Sequence, residues 1–176
     1  MKTPLTKEIT WAIMQKNISI MTRSLKEFVV KIGSDTRLFD VINWHLQKQN
    51  IIGYEIKISK RDFMKLKDKI KSVDDFTRLT DRFFVVVPTN LLNYAKEKLN
   101  AWNKKEIGII TYDVEHKKLI TKKQALRNNG WLMDFAREEV LNQLEKEWVA
   151  REHKQKIKRQ KDSINVFLTD DSEEET

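Results

Sequence analysis

The chain has 176 residues, 40% of them hydrophobic, which is enough for one domain with its own core and an appendage. It has no cysteine, so disulfides and thiolate metal sites are excluded, and His45, His116 and His153 lack zinc-like spacing. No apolar run is long enough to span a membrane and no signal-peptide pattern opens the chain, so a cytoplasmic protein without a membrane partner is expected; the net charge of +8 suits a phosphate backbone.

Pro4 and Thr6 open a helix to about Lys16, with Leu5, Ile9, Ala12 and Ile13 on one face. Glu27 to Ile32 reads as a strand, ended by a turn at Gly33-Ser34-Asp35. Strands are predicted from Arg37 to Trp44 and from Ile51 to Ile58, joined by a polar loop around Gln47 to Asn50. Ser59 begins a helix with Phe63, Leu66 and Ile70 at helical spacing, and a short helical piece follows from Val73 to Leu79. Arg82 to Val87 reads as a central strand buried on both faces. Pro88-Thr89-Asn90 stops it and caps a helix carrying Leu91, Leu92, Ala95 and Leu99. Ile107 to Tyr112 is a further strand, and Lys118 to Ile120 pairs with it across a turn. The order implies an α/β sheet in which an antiparallel meander feeds parallel crossovers.

Beyond Gly130, Trp131, Leu132, Phe135, Val140, Leu141, Leu144 and Trp148 recur at helical spacing. They predict an amphipathic helix to about Lys158 that folds back on the core or mediates self-association as a homo-oligomer. Lys154, Lys156, Lys158, Arg159 and Lys161 form a basic cluster, and Asp170 to Glu175 an acidic tail expected to be disordered. The expected division is a core at 1–128, a helix at 129–161 and a tail at 162–176.

Chemistry concentrates at Gly53-Tyr54-Glu55-Ile56-Lys57-Ile58-Ser59. Strand alternation places Glu55 and Lys57 on one face and Tyr54, Ile56 and Ile58 on the other. The other Glu-x-Lys copies, at Glu115 and Glu152, sit in a polar turn and a charged helix and read as solvated surface. A hairpin would bring Asp40, in the apolar strand before, beside Glu55. A buried carboxylate needs compensation, which a shared divalent cation or a simple salt bridge to Lys57 would supply.

With Asp40 and Glu55-Ile56-Lys57, followed by Ser59-Lys60-Arg61-Asp62-Phe63 and the strand Asp81 to Pro88, the chain resembles the PD-(D/E)xK nuclease superfamily, in particular its small DNA-repair and phage-type branches. The resemblance covers roughly residues 5 to 112, with Phe39 standing where a proline usually precedes the aspartate. It implies a restriction-endonuclease-like fold, a mixed central sheet flanked by helices. It further implies that Asp40, Glu55 and the Ile56 carbonyl hold Mg²⁺ or Mn²⁺, that Lys57 positions the attacking water, and that the product is a cleaved DNA phosphodiester. Glu8 is the candidate for an added carboxylate from the first helix, with Glu27 its rival. Lys60, Arg61 and Lys65 are candidate phosphate contacts; Trp44, Trp102 and Trp131 are more simply core than stacking platforms. RNA stays open as a substrate. The competing functions are a catalytically silent nucleic-acid-binding protein of the same fold and an interaction protein acting through its C-terminal helix.

Overall fold

Thr3 and Pro4 set the start of the first helix, α1 (Pro4–Lys16): the Thr3 hydroxyl accepts the Thr6 N–H, and Pro4 needs no donor at the first turn. The structure is a computed structural model describing residues 2–17, 19–32, 35–71, 79–127 and 134–170. Strands β1 (Thr22–Ile32), β2 (Asp35–His45) and β3 (Ile51–Ile56) follow, then α2 (Lys60–Lys71) and β4 (Arg82–Pro88). A 3₁₀ turn at Thr89–Leu91 leads into α3 (Leu92–Ala101), followed by β5 (Gly108–Asp113), β6 (Lys118–Lys123) and α4 (Asp134–Asp170).

The six strands form one mixed sheet in sequence order, β1-β2-β3-β4-β5-β6. The first three are an antiparallel meander, β3, β4 and β5 run parallel, and β6 returns antiparallel. α2 and α3 are therefore the crossovers of two consecutive parallel connections, which right-handedness places on one face. They pack together through Phe63, whose ring meets Tyr94 edge-on and stacks on Trp102. α1 covers the opposite face, where Ile9 and Ile13 bury against Val41, Tyr54, Ile56, Phe84, Val86, Ile110 and Tyr112. β3 and β4 are tied at their start, because Asp81 accepts from the Ile51 N–H at 2.7 Å and donates its own N–H to Ile51 at 2.8 Å.

Several boundaries differ from the sequence expectation. β1 begins at Thr22 instead of Glu27. Leu25, Phe28 and Val30 are all buried, although strict alternation would separate Leu25 from the other two. Glu27 lies in the left-handed region at φ 51°, and the ladder skips the pair it would make with Asp40, so the strand changes phase there. β3 ends at Ile56 and not at Ile58. α4 continues through residues 162–170, where a tail was expected, because no glycine or proline follows Gly130 to stop it. Gly33 and Ser34 of the expected turn, the piece before Leu79, Trp131 and Leu132, and residues 171–176 lie outside the described residues.

The chain divides into two compact units, Met1–Leu141 and Asn142–Thr176. The sheet and its packed helices lie in the first. The second is helical, with an Arg151–Glu147 pair at 2.6 Å and an exposed basic stretch at Lys154, Lys156, Lys158 and Arg159.

Candidate functional site

β2 and β3 pair from Trp44↔Ile51 to Val41↔Tyr54, and there the ladder stops. Gly53 permits the close packing just before that point: a Cβ on it would fall 2.8 Å from the Phe39 ring and 3.0 Å from Phe83. One step further, the register sets Asp40 opposite Glu55. Asp40 replaces the missing ladder acceptor with its own side chain, taking the Ile56 N–H on Oδ2 at 2.8 Å. Its Oδ1 accepts from the Lys2 Nζ at 2.7 Å, and Lys2 also reaches Glu27 at 3.5 Å. The carboxylate at this position is thus fixed to β3 by one oxygen and to a cation by the other.

Glu55 and Lys57 follow at the C-terminal end of β3, both buried. The Lys57 N–H donates to the Val86 carbonyl at 2.9 Å, which carries the pairing with β4 past the last strand residue. Its Nζ donates to Glu55 Oε1 at 2.8 Å. A third carboxylate comes from α2. Ser59 caps that helix by accepting the Asp62 N–H at 3.1 Å, and Asp62 Oδ1 then lies 3.8 Å from Lys57 Nζ. Burial alone would pull the Lys57 pKa down, but Glu55, Asp62 and Asp40 together outweigh it and hold the ammonium above the usual lysine range. Lys57 is therefore a fixed cation at neutral pH.

Asp40, Glu55, Ile56 and Lys57 are brought together by the strand splay. The remaining sequence candidates occupy positions around or away from this cluster. Glu8 on α1 accepts from the Tyr112 hydroxyl at 2.8 Å, and burial with that bond pushes the Tyr112 pKa up to about 12. Glu27 sits at the phase change of β1 beside Lys2. Lys60 lies over the Tyr94 ring at 5.4 Å, with Lys98 over the same ring at 5.3 Å. Arg61 and Lys65 are exposed on α2. Trp44 is buried, and Trp102 stacks in the core on Phe63.

Sequence reading did not select Asp62 or Lys2. Asp62 carried a usable signal, since Ser59-x-x-Asp62 is helix-cap spacing directly after the Glu-x-Lys strand. Lys2 carried none, because it pairs across 38 residues. Among the described residues no group of three or more Asp, Glu, His or Cys side chains is arranged to hold a metal. The pair Asp40 and Glu55, with the Ile56 carbonyl, is an all-oxygen donor set that suits Mg²⁺ or Mn²⁺ once a phosphate and water complete the shell. The Lys2 ammonium on Asp40 shows that one of these oxygens already receives positive charge.

No protein-family model matches this chain, and no curated protein sequence does. Among solved structures it is similar to a protein of unknown function from Silicibacter pomeroyi, with a TM-score of 0.59 and 20% identity over 84% of this chain and 85% of that one. That likeness shows a shared mixed α/β fold. A fdxN element excision controlling factor protein from Anabaena variabilis aligns with a TM-score of 0.41 and 14% identity, over 67% of this chain and 97% of that one. Among the described residues no helix is long and apolar enough to cross a membrane.

Proposed function

We propose that the protein is a metal-dependent nuclease of the PD-(D/E)xK type that hydrolyses phosphodiester bonds in DNA. One observation carries the reading: a buried lysine held 2.8 Å from a buried glutamate at the end of β3, where β2 parts from β3 and delivers a second carboxylate. An antiparallel meander followed by a helical crossover into a parallel strand is the order the resemblance implies, which supports a restriction-endonuclease-like assignment of the sheet.

Hydrolysis joins a water oxygen to phosphorus, breaks one P–O ester bond and leaves a phosphate monoester and a hydroxyl. Asp40, Glu55 and the Ile56 carbonyl would hold the divalent cation, which when bound supplies Lewis-acid activation of water and screening of the phosphate charge. Lys57 orients the water and offsets negative charge developing on the phosphoryl oxygens. Asp62 and Glu55 keep Lys57 protonated and in place. Lys60, Arg61 and Lys65 lie on the first turns of α2 beyond Lys57 and serve as phosphate contacts.

Lys2 on Asp40 favours one competing reading, a silent nucleic-acid-binding protein in which a lysine stands in for the metal. The test is cleavage of labelled single-stranded, duplex and branched DNA with Mg²⁺, Mn²⁺ or EDTA. Asp40→Asn is the informative variant, because its amide oxygen can still accept the Ile56 N–H while the charge is gone. Metal-dependent cutting lost in Asp40→Asn is expected. Binding without cutting under every metal would leave the silent binder.

A further inference from the structure

α1 and β1 enclose a groove of about 380 Å³ on the α1 face of the sheet, lined by Lys2, Lys7, Trp11, Met14, Lys26 and Glu27. Lys7, Trp11 and Met14 fall at i, i+4 and i+7, so they form one stripe along α1. Lys26 and Glu27 on β1 form the facing wall. The helix buries Ile9 and Ile13 and leaves Trp11 64% exposed. A lone exposed indole needs no explanation. This one lies in a groove whose three lysines face Glu27 and, through Lys2, Asp40, so its surroundings keep a net positive charge. Lys2 links the groove to Asp40 of the candidate site, since it lines the groove and places its Nζ 2.7 Å from Asp40 Oδ1.

A positively charged groove with an exposed aromatic face is what an unpaired nucleotide requires: cations for the backbone and a π-surface for the base. Duplex bases are already stacked and have no free face to offer. We propose that this groove binds a single-stranded nucleic-acid segment, with an unpaired base stacked on Trp11 and phosphates set against Lys7 and Lys26, and so leads one strand to Asp40. The proposal rests on the phosphodiesterase reading for its purpose and names the substrate class as single-stranded or frayed ends. The stripe from Lys7 to Met14 spans about 10 Å of helix, which limits the groove to a short segment.

The experiment is fluorescence anisotropy of labelled single-stranded DNA, single-stranded RNA and blunt duplex DNA with the full chain in EDTA, so that binding is read without catalysis. The variants are Trp11→Ala, Trp11→Phe and Lys7→Gln, all at residues outside the core. Wild type is expected to bind a single strand more tightly than duplex. Trp11→Ala should weaken single-strand binding roughly 5- to 100-fold while leaving duplex binding unchanged, and Trp11→Phe should restore most of it. Lys7→Gln should lower the slope of log affinity against log salt by about 0.7. Trp11-dependent binding of either DNA or RNA upholds the groove. Single-strand binding that ignores Trp11→Ala, or no single-strand binding by wild type, overturns it. Trp11-dependent binding by a chain that cuts nothing would keep the groove and remove the hydrolase; cutting with Trp11-independent binding would do the reverse.

Discussion

Two lysine–carboxylate pairs meet at the β2–β3 splay, and their lengths are nearly the same: 2.8 Å for Lys57–Glu55 and 2.7 Å for Lys2–Asp40. Their surroundings are not. The side chains of the first pair are 7% and 2% exposed, those of the second 28% and 16%. Distance therefore does not rank them; burial does. The inner pair is a commitment of the fold, because either partner alone would be a desolvated charge. The outer pair is open to exchange, because water can receive Lys2, and under the proposed function a divalent cation takes its place on Asp40. The proposed function thus needs one fixed cation, Lys57, and one replaceable cation, Lys2.

That contrast can be broken most forcefully at Lys57. Lys57→Ala strands Glu55 and should destabilise the protein by about 3–5 kcal/mol, read as a lower urea midpoint. Alkaline titration probes both buried faces of β3. Burial pushes the Tyr54 pKa up to about 12 against the lowering effect of Asn43 and Asn17, and Lys57 is also raised. Both groups are held in their protonated forms. Their contribution is complete below the unfolded pKa values near 10 and is lost as pH climbs towards the folded values. Stability should fall steeply above about pH 10, by up to about 2–3 kcal/mol from Tyr54, and Tyr54→Phe should flatten that segment. Gly53→Ala would drive a methyl into Phe39, the neighbour of Asp40, at a cost of about 1–3 kcal/mol, with weaker metal binding as its second readout. The smallest stability effect is expected at the outer pair. Lys2→Ala should change stability by less than about 1 kcal/mol while raising Mn²⁺ affinity.

The parts legible in the sequence were those where one periodicity dominated. The α1 bounds at Pro4 and Lys16 follow from a capped, amphipathic pattern, and β4 from an unbroken run of Phe83, Phe84, Val85, Val86 and Val87. The closeness of Glu55 and Lys57 follows from strand alternation alone. Other features depended on tertiary context. β1 could not be read back to Thr22, because Arg23, Ser24 and Lys26 dilute its apolar signal and the left-handed Glu27 breaks its phase. The contact of Lys2 with Asp40 has no local pattern. Glu8 is bonded to Tyr112 by packing of α1 over β5, a placement that no spacing within α1 encodes.

The most direct test of the fixed and replaceable cations is calorimetric titration of Mn²⁺ into wild type, Lys2→Ala and Asp40→Asn in the absence of nucleic acid. Saturable binding that tightens in Lys2→Ala and disappears in Asp40→Asn is expected. Binding that is absent from wild type and Lys2→Ala alike, or that persists unchanged in Asp40→Asn, would contradict a metal site at Asp40.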